Sequence, residues 1–169
     1  MLIIPSTLND VPELTLLINS AYRGESSKKG WTTEANLIDG QRIDEASLTE
    51  LMEDADAIIL KHTDDNGSIT GCVYLQKRGS KLYLGMLTVS PELQTGGIGR
   101  KLLFAAEEYA HSINYNTIVM TVIRTRTELL NWYERRGYQK TGEVIPLNIP
   151  QKYGILKQPI DMFILQKVV

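Results

Sequence analysis

The chain has 169 residues, of which 43% are apolar and 22% charged, so it is long enough to bury the core of one ordinary globular domain. Its net charge of −2 excludes a general basic surface of the kind that binds nucleic acid or an anionic membrane. Its single cysteine, Cys72, excludes an intrachain disulfide and lies in an apolar stretch that predicts a buried, unreactive thiol. We find no signal peptide and no apolar run near the ~20 residues of a membrane span, so we expect a cytoplasmic protein.

Helices and strands alternate along the chain. In order, the patterns predict a strand at 1–4, a helix near 9–22, a polar loop at 24–40, a helix at 44–54, strands at 57–60, 69–77 and 81–89, a helix at 97–112, a strand at 117–123, a helix at 127–136, a strand at 138–145, a loop at 146–159 and a strand at 160–167. The pair Asn66-Gly67 supplies the positive φ angles of a tight hairpin turn. The apolar run at 117–123 is typical of a strand covered on both faces. This order predicts one mixed α/β domain.

A glycine-rich turn lies between the strand at 81–89 and the helix that follows. Gly96, Gly97 and Gly99 let a ligand approach the backbone closely, at the point where a helix presents unpaired N–H groups and the positive end of its dipole. That combination binds phosphate or pyrophosphate. A tight strand-to-helix connection is the structural alternative. Dinucleotide and ATP loops fit less well, because Gly99 is followed by Arg100 and Lys101 and not by the residues those loops require.

Two segments carry a resemblance to a known family. The pattern Gln94-x-x-Gly97-x-Gly99, after Leu-Thr-Val and before an amphipathic helix, resembles the acetyl-CoA motif of the GNAT N-acetyltransferase superfamily. Residues 128–138, a helix with a tyrosine that ends in Gly-Tyr, are similar to the superfamily's second cofactor segment. The two segments lie in the family's order, and the resemblance as a whole covers about 57–145. The resemblance implies an enzyme that transfers an acetyl group from acetyl-CoA to a primary amine by direct attack in a ternary complex.

The resemblance also implies the architecture. It predicts a single GNAT-like domain over 1–169, mixed α/β, with a central and mostly antiparallel sheet flanked by helices. The sheet is expected to splay between its fourth and fifth strands, at 82–89 and 117–123. The pantetheine arm of the cofactor would enter that gap like an added strand. Gly85 is consistent with a bulge or kink in the first of these strands.

The implied cofactor residues lie in the strand, in the turn and after the second splayed strand. They are Leu87, Thr88, Val89, Gln94, Thr95, Gly96, Gly97, Ile98, Gly99, Arg100 and Arg126. Backbone groups of Leu87 and Val89 would hold the pantetheine. Arg100 would add a charge, with a solvated surface residue as the alternative. Arg126 stands near the place where family members carry an asparagine, so it would either replace that contact or face an anionic acceptor.

Acetyl transfer to an amine needs an acid for the leaving thiolate and a base for the amine. Tyr133 matches the family's general acid, and a phenol is protonated at neutral pH. A buried core aromatic is its alternative. The glutamate that some members carry on the strand before the turn is absent near Gly85, which leaves Glu34 as a candidate base, or a base acting through water.

The polar segment after the first helix usually covers the acceptor in this superfamily. The candidate acceptor-binding residues are Tyr22, Trp31, Thr33 and Arg42. A loop pinned by a buried tryptophan is the plainer interpretation of the same segment. His62 and His111 are predicted at the surface and Tyr138 in the core. No His, Cys or Asp cluster has metal-ligand spacing, so no metal is expected.

Three functional hypotheses follow. The first is acetylation of a small-molecule amine, and the second is acetylation of a protein at its N-terminus or at a lysine. The third is a non-catalytic acyl-CoA sensor. The missing strand glutamate supports this hypothesis, whereas Tyr133 argues against it. A closed pocket would suit the first and an open groove the second. The resemblance also makes a homodimer plausible.

Overall fold

The computed structural model describes residues 2–169, so Met1 of the predicted first strand lies outside the described residues. The strands are β1 Leu2–Pro5, β2 Ile38–Asp39, β3 Ala57–Thr63, β4 Ile69–Arg78, β5 Lys81–Val89, β6 Thr117–Ile123, β7 Gln139–Pro146, β8 Ile155–Leu156 and β9 Asp161–Val168. The helices are α1 Val11–Tyr22, α2 Gly24–Ser27, α3 Glu45–Glu53, α4 Ile98–Ser112 and α5 Thr127–Glu134. Where elements were predicted, their order and boundaries agree with the sequence patterns to within a few residues.

Seven of the strands form one sheet in the order β1-β3-β4-β5-β6-β9-β7. Each neighbouring pair is antiparallel except β5 and β6, which run parallel. The β5–β6 pairing is limited to Leu82 with Ile118 and Tyr83 with Val119, and the two strands diverge after it. The predicted splay is therefore confirmed, and it opens towards the carboxyl ends of both strands.

A β-bulge shapes β5 where it leaves β6. Along β4 the paired residues advance from Cys72 to Tyr74, whereas along β5 they advance from Thr88 to Gly85, so β5 contains one extra residue. The bulge expected near Gly85 is present, and its left-handed backbone falls on the next residue, Met86, with φ of 47°. A bulge bends its strand and leaves backbone groups without a ladder partner. It therefore helps to turn the end of β5 away from β6.

The sheet is covered on both faces. Val73 of β4 packs into one apolar cluster with Leu102 and Ala106 of α4, and Cys72 packs into another with Leu14 of α1 and Leu48 of α3. Because successive strand residues point to opposite faces, a strand between two layers of helices must be apolar throughout. All residues of β4 from Ile69 to Leu75 are buried, as this requires. Cys72 has the buried position that the sequence predicts.

The structure corrects the interpretation of two segments and of one residue. The loop at 24–40 contains α2 and β2, and the loop at 146–159 contains β8. The strands β2 and β8 pair through Ile38 with Leu156 and Asp39 with Ile155, which fastens the two segments together. His62 was predicted at the surface and is buried instead, with Nδ1 2.7 Å from Thr70 Oγ1. Burial lowers its pKa, because a charged imidazole is disfavoured there. None of the helices within residues 2–169 is long and apolar enough to cross a membrane.

Candidate active site

A cavity of about 600 Å³ opens beyond the carboxyl end of β5, between the first turn of α4 and one face of α5. Its walls come from five parts of the chain. They are formed by Ala21, Tyr22, Trp31, Thr32, Leu87, Thr88, Val89, Gln94, Thr95, Gly96, Gly97, Gly99, Arg100, Arg126, Leu129, Trp132, Tyr133, Arg135 and Arg136. Of the predicted cofactor residues all but Ile98 line it. The Ile98 side chain packs in the core, so this residue can offer a ligand only its backbone at the start of α4.

The glycine-rich turn forms one wall of the cavity. Gly97 has a left-handed backbone with φ of 84° and immediately precedes Ile98, the first residue of α4. A side chain is disfavoured at such a φ, which explains the glycine. Gly99 is the second residue of α4, where an added Cβ would sit 3.5 Å from the Trp132 ring. The first N–H groups of α4 have no partner within the helix, so this wall has the donors and the dipole that suit an anion.

Gln94 fastens the turn to the elements on either side of it. Its Nε2 donates to the Val89 carbonyl over 3.2 Å, and its Oε1 accepts from the Thr32 backbone N–H over 3.3 Å. The Tyr22 hydroxyl donates to the Leu87 carbonyl over 3.0 Å, and burial raises the pKa of Tyr22 to about 12. The carbonyls of Leu87 and Val89, whose backbone groups were predicted to hold a pantetheine arm, therefore already accept hydrogen bonds. Both donor side chains line the cavity.

Tyr133 lies on the α5 side of the cavity. Its ring packs edge to face against Trp132 and Tyr138, at centroid distances of 5.1 and 5.8 Å. Burial raises the pKa of Tyr133 well above its ordinary value, so the phenol stays protonated at neutral pH. Within residues 2–169 its hydroxyl has no hydrogen-bond partner. The residue has the burial of a core aromatic and also a proton to donate at the cavity wall.

Arg126, at the start of α5, joins the segment at 24–40 to this wall. Its Nη2 donates to Thr32 Oγ1 over 2.6 Å, and Thr32 Oγ1 donates to Glu128 Oε1 over 2.9 Å. Arg126 Nη1 lies 3.5 Å from Glu34 Oε2, while the other Glu34 oxygen accepts from Arg23 Nε over 2.6 Å. Glu34 is 5% exposed and does not line the cavity. Its carboxylate therefore holds the segment in place, away from the predicted catalytic position.

The predicted acceptor residues divide into two groups. Tyr22 and Trp31 line the cavity, with Trp31 44% exposed at its rim. Thr33 does not, because its Oγ1 is bonded to Ser27 Oγ at 2.5 Å and to the Ala35 backbone N–H. Arg42 is also off the wall, and its guanidinium lies 5.5 Å from the centre of the Tyr22 ring.

Several lining residues were missed from the sequence. Leu129, Trp132 and Arg136 lie on the cavity side together with Tyr133, at the three- and four-residue spacing of one helix face. The Arg136 guanidinium stacks 3.8 Å above the Trp132 ring and donates to the Trp132 carbonyl over 2.8 Å. Leu129 and Arg136 could have been predicted from their four- and three-residue spacing from Tyr133, whereas Trp132 follows only from its three-residue spacing from Leu129. Among the described residues, no group of three or more His, Cys, Asp or Glu is placed to hold a metal ion.

The seven-stranded splayed sheet, with the glycine turn at its opening, has the architecture that the GNAT resemblance predicted. A family model described as an acetyltransferase (GNAT) domain matches residues 27–148. The chain therefore belongs to the GNAT acetyltransferase family. A comparison with curated protein sequences finds no match.

Solved structures share the fold at low sequence identity. The ribosomal-protein-S18-alanine N-acetyltransferase of Escherichia coli superposes with a TM-score of 0.74 at 15% identity, covering 99% of this chain and 93% of that one. The PaiA N-acetyltransferase of Thermoplasma acidophilum, in complex with coenzyme A, superposes with a TM-score of 0.72 at 18% identity, covering 100% of both chains. A spermidine N-acetyltransferase chimera built from Vibrio cholerae and hSSAT sequences gives 0.69 at 17%, covering 99% of this chain and 96% of that one. Proteins named for protein and for small-molecule acceptors thus share this fold.

Proposed function

We propose that the protein is an N-acetyltransferase that uses acetyl-CoA and acts on a primary amine of a small molecule. The observation that carries the proposal is the arrangement of one cavity. The glycine turn with its unpaired helix N–H groups, the open end of the β5–β6 splay and the Tyr133 hydroxyl all lie on its walls. A phosphate-bearing thioester and an amine are the substrates that use all three features.

The residues of the turn fit coenzyme A. Gly97 keeps the first turn of α4 open to a diphosphate, and Arg100 lines the same wall with a positive charge. Thr88 and Val89 follow the bulge where an extended arm would pass between the strands. The complex of the Thermoplasma relative with coenzyme A supports this assignment. When bound, acetyl-CoA supplies an activated acetyl group whose C–S bond breaks as the new amide bond forms.

Tyr133 acts as the general acid in this proposal. Its phenolic proton goes to the departing thiolate, which leaves as the free thiol of coenzyme A. Because burial raises the pKa of Tyr133, the phenol is protonated before the reaction but is a weaker acid than a free tyrosine. Its proton therefore passes to the thiolate only as the C–S bond breaks, and the phenolate then regains a proton from water. The lack of another hydrogen-bond partner leaves the hydroxyl available for this donation.

Water takes the proton of the attacking amine in our proposal. Within the described part of the chain, no carboxylate and no histidine lines the cavity. Glu34, the candidate base from the sequence, is buried in its ion pairs with Arg23 and Arg126. We therefore propose a positioning role for Glu34. The ammonium of the acceptor loses one proton to water before attack and the second as the amide forms.

A small-molecule acceptor is favoured by the segment that bridges the site. Thr32 is bonded to Gln94 on one wall and to Arg126 and Glu128 on the other, so the segment at 24–40 crosses the cavity beside Tyr22. A cavity bridged in this way suits a small ligand better than a polypeptide. Acetylation of a protein is the first alternative function, and a non-catalytic acyl-CoA sensor is the second. A cytoplasmic location and a homodimer stay predictions.

The test measures both the binding of acetyl-CoA and the acetylation of amines. Calorimetric titration of the unmodified protein with acetyl-CoA is expected to show binding at micromolar concentration, and a panel of small amines is expected to cause release of coenzyme A thiol with formation of the acetylated amine. Binding without turnover of any amine or peptide would favour the sensor. Absence of binding by folded protein would refute the proposal.

A further inference from the structure

We propose that the acceptor is a small amine that carries a carboxylate in the same molecule, and that Arg126 binds this carboxylate. The inference rests on the proposed function and narrows its substrate class. It starts from the charges of the cavity wall, where four arginines face the space. They are Arg100, Arg126, Arg135 and Arg136. No acidic side chain among the described residues lines that wall, and the carboxylates nearest to Arg126 are those of Glu34 and Glu128. Such a wall attracts anions and repels a second cation.

Arg126 differs from the other three in its burial, although Arg136 Nε also lacks a hydrogen-bond partner in the described structure. Only 8% of the residue is exposed. Its one short bond goes to the neutral hydroxyl of Thr32, at 2.6 Å, while its carboxylate neighbours Glu34 and Glu128 lie at 3.5 and 3.8 Å. The short ion pair of Glu34 belongs to Arg23.

The Nε atom of Arg126 is buried and has no hydrogen-bond partner in the described structure. A buried guanidinium is costly unless its charge and its donors are satisfied. A carboxylate is the group that a guanidinium binds with two parallel hydrogen bonds. An anion arriving from the cavity would therefore complete the pairing that the chain itself leaves unfinished.

The position of Arg126 assigns the anion to the acceptor. Arg100, Arg135 and Arg136 lie with the glycine turn and with Trp132, on the wall that suits the phosphates of coenzyme A. Arg126 is bonded instead to Thr32 of the segment that closes the site. It precedes Tyr133 by two helical turns, about 10 Å of rise along α5. Helical side chains tilt towards the N-terminus, so the Tyr133 side chain leans towards Arg126 and a compact molecule can reach both.

The same charges disfavour two other acceptors. A polyamine carries further ammonium groups that need carboxylates, and the wall offers none within the described residues. A lysine or N-terminus of a protein has no fixed carboxylate next to its amine. An α-amino acid or a similar amino carboxylate satisfies both the amine chemistry and Arg126.

The experiment compares matched acceptors. The unmodified protein is assayed for release of coenzyme A thiol with L-amino acids, with the α-carboxamide of each, and with spermidine. We expect kcat/KM for the best acid to exceed that for its amide by at least roughly tenfold, the worth of one charge-assisted hydrogen bond. In Arg126→Gln we expect kcat/KM for the acid to fall to the value for its amide. The affinity for acetyl-CoA should stay within about twofold of that of the unmodified protein. Arg124→Gln removes the same charge from an exposed arginine off the wall and should change neither value.

The outcomes separate this inference from the proposed function. Equal use of acids and amides, or faster use of spermidine, would overturn the inference and leave an acetyltransferase. Weaker acetyl-CoA binding by Arg126→Gln with an unchanged preference for acids would assign Arg126 to the cofactor instead. Acetyl-CoA binding without acetylation of any amine would overturn the proposed function, and this inference with it. If Arg126→Gln fails to fold, Arg126→Lys replaces it, since it keeps the charge but loses the two parallel hydrogen bonds. An unchanged ratio of acid to amide in that variant would remove Arg126 from the acceptor site.

Discussion

Tyr133 and Tyr138 pack ring against ring, edge to face with centroids 5.8 Å apart, yet their hydroxyls have different surroundings. The Tyr138 hydroxyl donates to Glu107 Oε1 over 3.2 Å inside the fold. Tyr133 lines the cavity, and its hydroxyl has no partner in residues 2–169. Two buried phenols five residues apart therefore differ in whether the proton is available to a ligand.

That difference predicts opposite results for the same substitution. Tyr133→Phe removes the proposed general acid, and we expect kcat to fall by about 10²- to 10⁴-fold, with little change in acetyl-CoA affinity because the ring is kept. Tyr138→Phe is the matched control. It should lower stability slightly, through its lost bond to Glu107, and leave kcat unchanged. Steady-state kinetics and calorimetry on both variants decide, and an active Tyr133→Phe would remove Tyr133 from the mechanism.

Gly97 and Gly67 form a second matched pair, since their φ angles are 84° and 83°. Gly97 caps α4 at the cavity, whereas Gly67 lies in the hairpin turn between β3 and β4. Glutamate at either position should cost a similar ~1–2 kcal/mol of folding free energy, the penalty for a side chain in left-handed backbone. Only Gly97→Glu places a carboxylate at the anion site, so only it should weaken acetyl-CoA binding, by more than roughly tenfold. Equal affinities in the two variants would contradict the assignment of the turn to the cofactor.

Glu34 is predicted to matter for stability more than for proton transfer. Glu34→Gln leaves the guanidiniums of Arg23 and Arg126 buried without their carboxylate, and breaking a buried ion pair in this way costs about 3–5 kcal/mol. Glu25→Gln, which breaks the exposed pair with Lys28, should show no measurable change in urea unfolding. The profile of kcat against pH should keep its shape in Glu34→Gln, since a positioning residue does not titrate in the reaction. Loss of an ionisation from that profile would restore Glu34 as the base.

Cys72 predicts a dependence of stability on alkaline pH. Burial raises the pKa of its thiol from 9.0 to about 12. Below pH 9 the thiol is protonated in both states, and between pH 9 and about 12 the unfolded chain releases the proton while the folded chain keeps it. The free energy of unfolding should therefore fall as pH rises through this window, approaching about 1.4 kcal/mol per pH unit from this group. Cys72→Ala should show a shallower fall between pH 9 and 10 in urea unfolding. Identical slopes would contradict the buried thiol.

The glycine turn and the bulge beside Gly85 were predictable from local spacing in the sequence, since three glycines within four residues define a turn. The position of Tyr133 beside the cofactor was predicted from the family resemblance, with a core aromatic as the alternative. The splay between β5 and β6 followed from the family resemblance, which supplied the topology that periodicity alone does not.

The setting of Glu34 and of Arg126 was decided only by the tertiary structure. Glu34 lies in a polar segment that composition predicts to be solvated, and it is buried because Arg23 and Arg126, the latter 92 residues away, surround it. His62 is buried for the same kind of reason, with Thr70 across the hairpin as its partner. The pairing of β2 with β8 joins two segments that both appeared to be loops. Sequence spacing describes what a residue does within its own element, whereas the burial and pairing of a charge depend on distant residues that only the folded chain brings together.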